Sequence, residues 1–190
     1  MRISIIFHSV CANNYLMAKA FYESFKSKGQ IVSLFRVLDP DWVEQKNIPV
    51  AAKENIRNMV NIPIATPEVM LESDLIIMGS PNYFGNVSAE MKAYMDSVAK
   101  YWVKAQLVGK KLAAFTSTGN PQGGGDLCLQ AIHSFGMYMG MLCIPVPTTL
   151  IPGEYIHPFG IMHYSDSKYG EKLDNKTQGA IERFSEHLIR

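Results

Sequence analysis

Residues 3–14 read Ile3-Ser4-Ile5-Ile6-Phe7-His8-Ser9-Val10-Cys11-Ala12-Asn13-Asn14. The apolar run is β-branched and too short for a helix, and it stops abruptly at small polar residues, so it predicts a buried strand feeding a turn. Beyond the turn, Met17, Phe21 and Phe25 recur at every fourth position, and Gly29 closes the pattern as a C-terminal cap. Ile31–Val37 then reads as a second strand. Strand, helix and strand in so short a span form a βαβ unit, which implies a right-handed crossover and a parallel pair.

The same rhythm runs through the chain. Leu75–Gly79 is a third predicted strand, followed by Met91, Tyr94, Met95 and Val98 on one helix face that Asn86 or Ser88 caps. Leu112–Ser117 is a fourth strand, and Cys128, Ile132, Phe135 and Met139 form the stripe of the next helix. Met141–Val146 is the fifth strand, and Ile181, Phe184 and Leu188 mark a terminal helix. Residues 1–190 therefore predict one α/β domain, a doubly wound five-stranded parallel sheet with helices on both faces. Two segments break the rhythm. Leu38–Pro67 holds four prolines and a short helix near Ala51–Met59, and Pro147–Lys176 has no clear period. Connections of such length are candidates for lids or subunit contacts.

Composition narrows the function. The 190 residues are 47% hydrophobic and 18% charged, ordinary globular usage. Lys plus Arg number 18 against 17 Asp plus Glu, a net charge of +1 that makes no electrostatic case for nucleic acid or an anionic membrane. Cys11, Cys128 and Cys143 are odd in number and lack ligand spacing, so neither a disulfide framework nor a metal site is expected, and a reducing cytoplasm is the natural setting. Met137, Met139 and Met141 read as core filling. No signal peptide and no membrane span are predicted.

In open α/β sheets ligands bind outside the carboxyl ends of the strands, where strand order reverses. The loops after strands one, three and four are the ones to inspect. After strand one, Ser9, Val10, Cys11, Ala12, Asn13 and Asn14 lead into a helix whose unpaired N–H groups and dipole suit a phosphate; the same residues also describe an Asn-capped turn. After strand three, Gly79 to Asn86 offers small residues with Tyr83 and Phe84 as aromatic surface, either for a ring or for the core. After strand four, Ser117 to Asp126 contains three consecutive glycines, suited to bare backbone meeting a ligand's polar edge or to a flexible turn.

Pro63–Pro67, Gly79–Asn86, Met91–Asp96, Trp102, Gly109-Lys110 and Ser117-Thr118-Gly119 with the later glycine run resemble the Trp-repressor-binding-protein type (WrbA-type) flavoproteins of the flavodoxin-like superfamily. The resemblance implies a flavodoxin-like sheet of order 2-1-3-4-5 and non-covalent FMN. It also implies electron transfer from NAD(P)H to a quinone-like acceptor, and a homodimer or homotetramer. By the same resemblance, Ser9–Asn14 would hold the FMN phosphate, and Pro81, Asn82, Tyr83 and Phe84 would meet the flavin. Ser117, Thr118, Gly119, Asn120 and Gly123 would line its pyrimidine edge, and Trp102 would wall the substrate space; no side chain is assigned a catalytic proton.

The chain departs from the family pattern in three places. Ala12 stands at a usual loop glycine, Pro121-Gln122 lengthens the glycine loop, and Phe135 stands where quinone-reducing relatives have a histidine. A phenyl ring cannot donate to a quinone oxygen, although Phe135 also fits its helix stripe. An electron carrier without direct NAD(P)H oxidation and a flavin-free regulatory protein are the alternatives. Net charge disfavours the first, because carriers of this fold are typically acidic.

Overall fold

In the computed structural model the residues described are 1–41, 50–166 and 170–190. The longest apolar runs become the strands buried on both faces, as parallel sheets require. These are β1 (Arg2–Phe7), β3 (Leu75–Pro81) and β4 (Lys111–Thr118). β2 (Ile31–Arg36) alternates exposure and lies at the edge. The order is β2-β1-β3-β4-β5, all parallel, with a sixth strand beside β4. Order reverses between β1 and β3, so the expected switch point is present.

Helices cover both faces. α1 (Asn13–Ser27) and α6 (Asn175–Leu188) bury Phe21, Phe25, Ile181 and Phe184 against Ile5, Phe7 and Phe115. α3 (Glu68–Glu72), α4 (Ala89–Ser97) and α5 (Gly125–Tyr138) cover the other face, where Met91, Met95, Leu129 and Ile132 meet Ile6, Ile76 and Met78. The short helix expected near Ala51–Met59 is a 3-10 turn, Val50–Ala52, running into α2 (Lys53–Met59). Of the two candidate caps for α4, Ser88 is the one used, its hydroxyl accepting from the Met91 N–H at 3.2 Å. Gly79 has a packing role: a Cβ there would fall 2.0 Å from the Phe115 ring, which lies across it in register.

The fifth strand differs from expectation. β5 is only Leu142–Cys143, pairing Lys111 and Leu112. The Ile144 N–H still reaches Leu112 O at 2.8 Å, but the next donor on that side, Val146, turns to Pro158 O at 2.9 Å and the ladder stops. Residues 144–160 leave the sheet, and β6 (Ile161–Tyr164) returns to pair Phe115–Thr118. One edge position is thus filled by two short strands, and the second arises from a stretch that sequence alone reads as irregular.

His133 and His163 are 5% and 3% exposed, and burial pushes both below the ordinary histidine value of 6.5. The unfolded chain therefore takes up these protons first. Their contribution to stability is complete above pH 6.5 and is lost as pH falls below it. The melting temperature is expected to decline on acidification from pH 7 to 5, and a flat profile by circular dichroism contradicts this. Gly79→Ala is expected to lower unfolding free energy by about 2–3 kcal/mol through overpacking against Phe115, read by denaturant titration.

Candidate functional site

The β1 strand ends in a turn whose conformation is set by one residue. Ala12 is left-handed, at φ 64 and ψ −2, and fully buried. A left-handed residue lets successive N–H groups point to one side, forming an anion-binding concavity. The turn is clamped from three directions. Ser9 Oγ accepts from the Tyr15 N–H at 3.2 Å, Asn14 Nδ2 donates to His8 O at 3.1 Å, and Asn13 Oδ1 accepts from the Gly170 N–H at 2.7 Å. Gly170 O in turn accepts from Asn55 Nδ2 at 2.7 Å, tying α2 to the same point.

These bonds leave donors facing the cleft. Among the described residues the N–H groups of Val10, Cys11 and Ala12 make no hydrogen bond, and those of Asn13 and Asn14 open a helix, where no intrahelical acceptor exists. The Ser9 hydroxyl proton and Asn13 Nδ2 add two side-chain donors. Five N–H groups, two polar side chains and the positive end of a 15-residue helix suit a phosphate without any lysine or arginine. Burial raises the Cys11 thiol above its usual range, so the group stays protonated and adds no charge.

The other two loops close on this turn. The Asn82 N–H donates to Ser117 O at 2.9 Å, and Asn82 Nδ2 donates to Gly123 O and to Thr118 Oγ1, so one side chain ties the loops after β3 and β4 together. Tyr83 and Asn86 exchange backbone bonds of 2.9 and 3.0 Å across a tight turn. Its central residues, Phe84 and Gly85, both have positive φ, 54 and 75. Within the glycine run, a Cβ on Gly123 would lie 2.2 Å from Thr118 Oγ1, and Gly124 is left-handed at φ +73.

Ser9, Val10, Cys11, Asn13, Asn14, Pro81, Asn82, Tyr83, Ser117, Thr118 and Gly119 line one cleft of about 450 Å³, including its open mouth. Ala12 lies beneath it, while Asn120 and Gly123 support the loop without forming the wall; Gly123 donates to Asn120 O at 3.1 Å. Phe84 stands fully exposed at the rim, because its left-handed backbone turns the ring outward. Ser165, at the end of β6, joins the wall, its N–H donating to Thr118 O at 3.0 Å. No sequence signal marked it, since its strand is four residues long in an aperiodic segment.

Two expected positions fall elsewhere. α4 and the 3-10 turn after it (Val98–Tyr101) lead away from the cleft, so Trp102 is about 20 Å along that path from Ser88. It does not wall this chain's own cleft. Phe135 is about 15 Å along α5 from the glycine loop and is partly buried against the core, on the stripe its spacing predicts.

The unsatisfied atoms of the cleft match the groups of FMN. Asn14 Oδ1 and Asn82 Oδ1 are buried and accept nothing among the described residues. Hydroxyls of a ribityl chain and the N–H edge of a flavin supply the missing donors, and the turn supplies donors for a phosphate. The residues present fit the group.

Fold and cleft together define a flavodoxin-like flavoprotein. The model of the family described as NADPH-dependent FMN reductase matches residues 1–155, and the chain belongs to that family. A NAD(P)H dehydrogenase (quinone) of Aromatoleum aromaticum is 36% identical over 152 residues, covering 78% of this chain and 72% of that protein. One of Geobacter sulfurreducens is 32% identical over 199 aligned positions, covering 100% and 96%. Among solved structures, a WrbA-like flavodoxin of Agrobacterium tumefaciens aligns with a TM-score of 0.66 at 18% identity, over 98% of this chain and 93% of that one. Oxidised flavodoxin 2 of Bacillus cereus gives 0.65 at 16%, over 100% and 98%. Both share the fold.

Gly170 roofs the turn so closely that a Cβ would fall 2.0 Å from Cys11 O, and its φ is +66. Gly170→Ala is expected to weaken FMN binding about tenfold or more (~1.4 kcal/mol) while the far-ultraviolet spectrum is kept. Unchanged affinity in a flavin fluorescence titration contradicts this.

Proposed function

We propose that this chain is an FMN-dependent oxidoreductase that passes electrons from NAD(P)H to a quinone or similar acceptor. The observation that carries the proposal is the convergence of three loops on one cleft, with bare donors at the β1 turn and buried acceptors on Asn14 and Asn82. The names of the quinone-directed relatives support the choice of acceptor. Within the family, the Pro81-Asn82-Tyr83-Phe84-Gly85-Asn86 turn favours the WrbA-type branch.

FMN, when bound, supplies two-electron hydride chemistry, and the protein supplies binding, orientation and a fixed field. Val10 to Asn14, with Ser9, bind the phosphate through neutral donors. Asn82 holds the loops after β3 and β4 at a set separation, and its free Oδ1 orients a ring N–H. Ser117, Thr118 and Ser165 offer hydroxyls along the cleft floor. Tyr83 faces one side; its hydroxyl is held above its usual value, first by burial and then by the nearby carboxylates of Glu90 and Asp39, so it stays a neutral donor. Trp102, exposed and remote from its own cleft, is available for contact between copies, consistent with a homodimer or homotetramer.

Purified protein is expected to be yellow and to oxidise NADH or NADPH only when a quinone such as a benzoquinone is present. FMN-loaded protein that shows no acceptor-dependent oxidation across a quinone panel overturns the assignment.

A further inference from the structure

Beside the cleft, three ligating side chains from three segments meet around His8. His8 follows β1, Asp39 follows β2, and Glu90 lies in the first turn of α4. One ligating atom from each lies within 4.8 Å of the others. The His8 and Asp39 side chains are only 2% and 6% exposed, and that of Glu90 is 28% exposed. Neither carboxylate forms a salt bridge with a lysine or arginine among the described residues. Two carboxylates so placed favour a positive charge in their midst.

The two ring nitrogens have different surroundings. Nε2 lies 3.1 Å from Asp39 Oδ2, within hydrogen-bond reach. Nδ1 is buried without a partner and faces Glu90 Oε2 at 3.6 Å. A metal-ligating histidine commonly has this arrangement, a carboxylate behind one nitrogen fixing the tautomer and a bare lone pair on the other. The 3.6 Å separation is close to the ~3.3–3.5 Å edge of a tetrahedral shell built on zinc-to-ligand distances.

We propose that His8 Nδ1 and Glu90 Oε2 bind a divalent transition ion of the zinc type, with Asp39 holding the imidazole from behind. A ring nitrogen binds metal through its in-plane lone pair, so Asp39, on the far nitrogen, is a positioning carboxylate and not a ligand. The partial exposure of Glu90 leaves the remaining coordination positions to water. One imidazole nitrogen and one carboxylate oxygen suit zinc, cobalt or nickel better than calcium or magnesium.

The test is calorimetric titration of zinc into chelator-treated, tag-free, FMN-loaded protein at pH 7, with the flavin spectrum reporting retained FMN. One zinc per chain with micromolar affinity is expected. Glu90→Gln is expected to abolish stoichiometric binding, whereas Asp39→Asn keeps the stoichiometry and weakens affinity about tenfold or more. Equal uptake by Glu90→Gln protein means an adventitious ion only and overturns the site. No uptake by the unaltered protein, the result expected if both nitrogens of His8 carry protons toward the two carboxylates, overturns it as well.

Discussion

A left-handed alanine at the end of the central strand is the constraint on which the site depends. Placing an L-residue there costs about 1–2 kcal/mol, and Ala12 keeps the conformation because its surroundings leave no alternative. Its methyl is fully buried, with Gly170 packed over it and Ala52 beside Gly170. The bonds from Ser9, Asn13 and Asn14 pin the turn on either side. Strain at a functional loop is commonly held this way, by neighbours that over-determine it. The consequence is a row of N–H groups with no acceptor among the described residues. Ala52, Asn55 and Gly170, far apart in sequence, share the task of roofing this turn.

That arrangement explains how a chain of net charge +1 can bind a dianion without a dedicated basic residue. The helix end and bare amides supply partial positive charge from fixed directions, and they need no reorganisation when the ligand arrives. It also keeps carboxylates and imidazoles out of the cleft wall. Neutral, hydrogen-bonded groups line the cleft, while the ionisable cluster of His8, Asp39 and Glu90 stands to one side.

Much of this was legible in the sequence because it rests on local patterns. The apolar runs at Ile3–Phe7, Leu75–Gly79 and Leu112–Ser117 became the buried strands, and the four-residue spacing of Met17, Phe21 and Phe25 became the buried face of α1. What was not legible depends on distance in space. Gly79 lies against Phe115 and Gly123 against Thr118, contacts that no local pattern marks. By resemblance Trp102 would wall the substrate space, yet it lies one helix length from its own chain's cleft, and Phe135 keeps its place in the helix stripe against the core. The fifth strand breaks where the Val146 N–H turns to Pro158 O, a partner twelve residues on that no local pattern announces. Ser165 had no local signal, because only the return of β6 to β4 places it.

Phosphorus NMR of the FMN-loaded protein tests the central claim most directly. A free phosphate monoester takes its second proton near pH 6. A phosphate seated among the amides of residues 10–14 is shielded as a dianion, so its resonance is expected to be shifted from free FMN and constant from about pH 5.5 to 7.5. A resonance that titrates near pH 6, as free FMN does, places the phosphate outside the turn and contradicts the assignment of the site.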